Sequence, residues 1–395
     1  MISMNISKLT RLASFVLAVG FFVSCTSSQF TVDNLIEQEN YALALEQIDQ
    51  ELTKNPTAEL YIQKAEVLGK IAVTREAENR DSLYNEFDIA LENATDNNLD
   101  SSALISQKID SISTKYWNIE HQSGLQAYES DNEQVQRRSI LHFQNALIID
   151  SENVETYKSL AIAHYNFGNI EEAISTLNIA SSLDQEDSEI YENLGFLYLE
   201  TGNAQQSAYY YKLANKDPLK DKNIAFGLVN AYISEGNDVE AIKLLDQLVN
   251  VYPNNGKIHN VYGTQLFNQV STLFPQLKDA YTNADEAEVT TLRVEIEGLS
   301  EKAEQQLIEA YKTDSNNMEF IESLAVFYNN MAGNYFSLHP QAFEDDKEAI
   351  KNRALTLTDF AIRYYNEMLE MEANNDRITT KITNLNTLKN SWNNK

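Results

Sequence analysis

Three stretches of this chain repeat one another at a fixed distance of 34 residues. Tyr157, Tyr191 and Ala225 open successive blocks, Leu160, Leu194 and Leu228 follow, and then come the compact residues Ala161, Gly195 and Val229. Gly168, Gly202 and Gly236 are next, and Ala173, Ser207 and Ala241 stand five residues beyond each glycine. A period of this length, punctuated by a glycine in each block, reads as a stack of helix–turn–helix units. Antiparallel helices cross closely only where side chains are small, so Ala161 or Gly195 is expected to face Ala173 or Ser207 across its hairpin. Leu177, Tyr211 and Leu245 fill the space between, and Ala180 and Ala214 sit where the next unit docks. Each glycine ends a first helix in the left-handed conformation that costs it little. A single hairpin cannot bury its apolar face alone, so stability has to come from its neighbours.

These residues resemble the tetratricopeptide repeat family closely over 153–255 and more loosely over 35–375. The resemblance implies an all-α fold, a right-handed superhelical solenoid of antiparallel helix pairs with a C-terminal capping helix. Pro253 falls at the family's closing position. Pro218 comes one residue early and implies a slightly shortened loop. Upstream, Asn34–Lys54 reads as a first hairpin, with Tyr41, Ala44 and Pro56 in family positions. Ala65 and Leu68 then pair with Phe87, Ala90 and Leu91, and a helix around Trp117–Tyr128 pairs with Ser139–Ile149. Downstream, Tyr262 and Gly263 meet Ala303, Leu307 and Ala310 only after an insertion at about 271–298, expected to lengthen the second helix. Leu324, Ala325 and Tyr328 pair with Ala354–Met371. Ile378, Ile382, Leu385 and Trp392 form one apolar stripe suited to a cap. No strand alternation of any length appears. The count is about seven pairs plus the cap.

The N-terminus carries a second signal. Lys8 and Arg11 precede an apolar run from Leu12 to Val23, and Cys25, the only cysteine, follows. A basic start, a short apolar core and small residues before a cut describe a secretory signal. The run is too short to span a bilayer, which takes roughly 20 residues. The position of Cys25 resembles that of the residue acylated in bacterial lipoproteins, which implies lipid attachment there. Thr26 after it implies sorting to the outer membrane, facing the periplasm. The expected organisation is a signal peptide over 1–24, a lipid-attached tether over 25–33, a repeat array over 34–255, and degenerate units with helical insertions and a cap over 256–395.

Charge narrows the partners. The chain has 59 acids against 30 bases, a net −29, and losing residues 1–24 removes two bases and no acid. Such a surface repels nucleic acid and anionic headgroups. The acyl chains, rather than the protein surface, would then hold it at the membrane.

The residues offer no catalytic constellation. The 12 glycines are scattered and make no phosphate loop. His121, His142, His164, His259 and His339 share no metal-ligand spacing, and no cysteine joins them. Acidic pairs such as Glu171-Glu172 and Asp345-Asp346 lack the pattern of a calcium loop, and no G-x-S-x-G turn occurs. No enzyme, metal or cofactor is expected.

A groove remains. In the family, first helices line a concave face, and ligand contacts come from set positions along them. Carried onto this chain, the fifth positions are Lys158, Glu192 and Phe226, the ninth Ile162, Phe196 and Asn230, and the twelfth Tyr165, Leu199 and Ile233. This stripe is more apolar and aromatic than solvent requires, which suggests a partner. The family's clamp for C-terminal carboxylates is absent, since only Lys158 and Asn230 fit it, in separate repeats. The expectation is a non-catalytic, membrane-anchored adaptor or assembly scaffold of the bacterial cell envelope, binding envelope proteins or peptide segments. The alternative is a glycan- or nutrient-binding lipoprotein, whose aromatic platform would lie on an exposed insertion with Tyr281, Tyr335 and Phe336.

Overall fold

The computed structural model describes residues 31–98 and 102–393. Among them the regular structure is helical throughout, with seventeen α-helices, two short 3-10 turns and no strand. Cys25 and the segment before it lie outside the described residues. The helices make eight successive pairs and a final unpaired one, one pair more than the sequence count. The chain divides after Glu152 into two compact units.

The first unit holds α1 (Val32–Glu37), α2 (Tyr41–Lys54), α3 (Ala58–Val73), α4 (Asp81–Asp96), α5 (Ala103–Tyr128) and α6 (Glu133–Ile149). Helix α1 opens two residues before Asn34, capped by the Thr31 hydroxyl, and buries Val32 and Leu35. Two glycines admit aromatic rings at the helix crossings. A Cβ on Gly69 would stand 2.5 Å from the Tyr116 ring, and one on Gly124 would stand 2.6 Å from Phe143. At the centre lies a carboxylate, Glu120 of α5, with no solvent exposure. One oxygen accepts hydrogen bonds from Arg80 Nη1 and Tyr84 Oη, each at 2.7 Å, and the other lies 2.7 Å from His142 Nδ1. Burial alone would push this carboxyl up, but the bonds to His142, Tyr84 and Arg80 outweigh it and hold it below the ordinary carboxylate range.

The second unit contains the repeats proper. Its first three pairs are α7 (Val154–Asn166) with α8 (Ile170–Leu183), α9 (Ser188–Glu200) with α10 (Ala204–Leu213), and α11 (Lys222–Glu235) with α12 (Asp238–Val251). Helix α13 (Gly256–Thr282) begins the fourth pair. The starts of α7, α9, α11 and α13 keep the 34-residue period. So do their N-caps Asn153, Asp187, Asp221 and Asn255, whose side chains accept first-turn amides. Gly168, Gly202 and Gly236 have φ of +78°, +76° and +75°. The asparagine after each donates its N–H back across the turn, as from Asn169 to His164 O at 2.9 Å, which closes a Schellman turn.

Packing follows the small-residue code with one change. Ala161, Ala173, Ala180 and Ala241 are buried as expected, but the neighbour of Gly195 is an aromatic ring. A Cβ there would meet Tyr211 at 2.9 Å, and one on Gly227 would meet the same ring at 2.3 Å. Tyr211 therefore sits between α9 and α11, and the two glycines make its slot. The expectation for Pro218 is corrected too. Helix α10 stops early, at 10 residues against 14 in α8, so the helix is shortened and the connection is not. Asn215 turns to a φ of +52°, and the residues before a proline resist helix.

The insertion also differs from expectation. It lengthens both members of the fourth pair, α13 to 27 residues and α14 (Glu286–Thr313) to 28. An apolar stripe continues along both: Val270, Leu273, Phe274 and Leu277 on one helix, Val289, Leu292 and Ile296 on the other. The fifth pair, α15 (Met318–Leu338) and α16 (Glu344–Met371), is extended to match. Phe274 meets Tyr335 edge to face at 5.2 Å, and Tyr281 meets Phe343 at 4.8 Å. The cap, α17 (Asp376–Asn393), buries Ile378 and Leu385 and sets Trp392 against Phe336.

Candidate binding face

The first-helix stripe of α7, α9 and α11 contains both paired charges and uncovered apolar surface. Lys158 is tied by three carboxylates, Glu189 at 2.7 Å, Glu155 at 3.1 Å and Asp187 at 3.2 Å. Burial alone would lower its pKa, but these acids outweigh burial and raise it above the ordinary lysine range. Glu192 is held by Lys216 at 2.7 Å. These two fifth-position charges thus join adjacent elements of the stack.

The apolar members are displayed differently. Ile162 is 43% exposed and Phe196 37% exposed, large values for residues of their size in a helical stack. The Tyr165 and Phe196 rings meet edge to face at 5.2 Å, joining α7 to α9. Leu199, Phe226 and Ile233 are half-buried, each with one side against the core that contains Leu228 and Tyr232. Asn230 is exposed. The structure therefore brings Tyr165 and Phe196 into one patch, keeps Ile162 open, and seats Phe226 and Ile233 deeper than a purely surface stripe would.

The rings on the insertions take the other course. Tyr281 and Phe336 are buried and Tyr335 is half-buried, with Tyr281 Oη donating to Asp346 at 2.9 Å. They pack the extended pairs together and make no open platform. The histidines are spread through the framework: His259 is buried, with its two ring nitrogens on Gln306 and Pro253 O, and His121 stacks on Trp117. Among the described residues no group of three or more His, Cys, Asp or Glu is placed to hold a metal, and no helix is long and apolar enough to cross a membrane.

Two further signals lie in the sequence. The caps at 153, 187, 221 and 255 repeat as legibly as the glycines do. Gly227 looks like an ordinary helix interruption until the ring it accommodates is known.

Residues 225–255 match the family model described as tetratricopeptide repeat, the third of the three blocks in strict register. Among solved structures the chain is similar to the MamA protein, with 18% identity, 50% of this chain and 92% of that one covered, and a TM-score of 0.39. It is also similar to YrrB, titled a TPR protein with an unusual peptide-binding site, with 16% identity, 58% and 96% covered, and a TM-score of 0.39. For PilF of Pseudomonas aeruginosa the identity is 11%, with 69% and 99% covered and a TM-score of 0.41. No curated protein matches the chain. The matched third block, the 34-residue register and the all-helical pairing show that this chain contains tetratricopeptide repeats.

Proposed function

We propose that this protein is a non-catalytic adaptor, tethered to the bacterial outer membrane through Cys25, that captures a protein partner in the periplasm on the first-helix stripe around Tyr165, Phe196, Leu199 and Phe226. One observation carries the binding half of this reading. The stripe leaves Ile162 and Phe196 open to solvent in repeat register, while its charges, Lys158 and Glu192, are already neutralised within the protein. A surface with apolar side chains exposed and charges satisfied gains most from covering by another apolar surface. The tether rests on the basic start, the Leu12–Val23 run and the single cysteine.

Each half has its own test. Labelling with a palmitate analogue should mark the wild type and spare Cys25→Ser, and equal labelling of both would remove the anchor. For the stripe, partner recovery from native membranes should drop for Phe196→Ala and Phe226→Ala by the equivalent of about 1–2 kcal/mol or more. Normal melting with full recovery by both variants would leave the stripe without a role.

A further inference from the structure

The extended fourth and fifth pairs enclose a cavity of about 200 Å³, with walls from α13, α14, α15 and α16. The first helices of the strict repeats run 13 or 14 residues. Leu277 and Tyr281 on α13, and Tyr335 and Leu338 on α15, all stand beyond that length from the helix starts at Gly256 and Met318. The cavity is therefore made by the extensions, in a part of the chain that the 34-residue pattern does not specify, and it shares no residue with the stripe of Tyr165 and Phe196.

Floor and mouth differ. Leu277, Ile296, Leu338 and Ile350 are buried and line the cavity with aliphatic carbon. Arg293, Glu297 and Arg353 line it too, and all three are exposed. Four residues apart on α14, Arg293 and Glu297 are helix neighbours that could pair. Arg293 Nη1 donates instead to Asp346 at 2.6 Å, and Tyr281 Oη donates to the other Asp346 oxygen at 2.9 Å. Among the described residues Glu297 is left without a base and Arg353 without a carboxylate. Arg353 is hydrogen-bonded to the Tyr335 phenol. A guanidinium can only donate, so the phenol accepts and keeps its own O–H for the cavity. Burial pushes that phenol above the ordinary tyrosine range, although Arg353 and Arg293 pull it down, and it stays protonated at neutral pH.

A carboxylate and a guanidinium thus face one cavity, and no ion pair joins them. The complement is a molecule that has both charges close together on an apolar body, as a free aliphatic α-amino acid does. Its carboxylate suits the guanidinium fork and the phenol O–H, and its ammonium suits Glu297. A simple anion would leave Glu297 facing it unpaired, and a neutral sugar would set hydroxyls against an aliphatic floor. The volume is that of about seven waters at roughly 30 Å³ each. It takes a molecule of leucine's size and is too small for a peptide.

We infer that this cavity binds a free aliphatic α-amino acid, with its side chain on Leu277, Ile296, Leu338 and Ile350, its carboxylate on Arg353 and Tyr335, and its ammonium on Glu297. The inference goes beyond the adaptor reading and does not depend on it. The test is calorimetric titration of the full chain with leucine and two truncated forms of it, 4-methylpentanoate, which lacks the ammonium, and 3-methylbutylamine, which lacks the carboxylate. Leucine should bind, and each truncated form should bind about tenfold more weakly or worse, the worth of one charge-assisted hydrogen bond. Arg353→Gln should weaken leucine about tenfold and remove its advantage over 3-methylbutylamine. Glu297→Gln should weaken it similarly and remove its advantage over 4-methylpentanoate. Both side chains are exposed, so both variants should melt as the wild type does, and a role confined to the fold would not produce this matched exchange of preference. No heat with leucine, isoleucine or valine up to about 10 mM would overturn the inference. So would either truncated form binding as tightly as leucine, or full-strength leucine binding by either variant.

Discussion

The first unit and the repeats of the second fix their helices by different means. In the first, α3 to α6 are joined through a knot of polar side chains, with Glu120 fully buried and satisfied by Arg80, Tyr84 and His142. In the repeats, the crossing points are apolar and small, and Tyr211 lies in the slot made by Gly195 and Gly227. A repeated small residue specifies the same contact many times, so it tolerates local variation elsewhere. A buried carboxylate specifies one arrangement, because any other leaves a charge unpaired in a low-dielectric interior. The loops of the first unit vary in length, and this single network does for them what the 34-residue period does for the repeats.

That contrast sets the order of expected effects. Glu120→Ala removes the acceptor and strands Arg80, whose side chain is 13% exposed, so it should cost roughly 3–5 kcal/mol. Hydrogen exchange should show the loss in residues 31–152. A loss under about 1 kcal/mol would mean that the knot is ornamental. Its pH dependence has a definite sign. The folded pKa of Glu120 lies below its unfolded value, so its stabilisation is present above the ordinary carboxylate range and fades as pH falls through the folded value. Acid should therefore destabilise the wild type more steeply than Glu120→Gln. Parallel slopes in melts over a pH series would contradict this.

In the repeats, Gly227→Leu and Gly195→Leu push side chains into the Tyr211 ring and should cost roughly 1–3 kcal/mol or more, read from urea melts. Gly236→Ala touches nothing but forces alanine to a φ of +75°, for about 1–2 kcal/mol. Glu171→Ala, on an exposed face of α8, should stay within about 0.5 kcal/mol. The reverse order would mean that the small residues do not set the crossings.

The same contrast explains what was legible beforehand. The repeats could be placed by residue because each contact has a copy 34 positions away: Leu160, Leu194 and Leu228 are all buried, and all three turn glycines have positive φ. The Glu120 knot had no such copy. Arg80 and Tyr84 stand at the start of α4, Glu120 on α5 and His142 on α6, and no repeated spacing announces them. The stretch at about 271–298 reads from sequence as a lengthening of one helix, since an Ala-, Glu- and Thr-rich stretch is helical on either side of a turn. The chain reverses at Ala284, at a φ of +56°, which nothing about an alanine advertises; the legible mark is Asp285, whose side chain caps α14 by accepting the Glu288 amide. Of the candidate face, the apolar stripe followed from the register. That Lys158 and Glu192 are already paired did not, because their partners Glu189 and Lys216 lie in neighbouring elements.

The most direct test uses two adjacent residues, Gly195 and Phe196. The structure places one against Tyr211 inside the stack and the other, 37% exposed, against Tyr165 on the outer stripe. Thermal melting and partner recovery measured together on Gly195→Leu and Phe196→Ala should separate them. Gly195→Leu should melt well below the wild type, while Phe196→Ala should melt near it and lose the partner. If Phe196→Ala melts as early as Gly195→Leu, the ring is core, and the stripe is not the binding face.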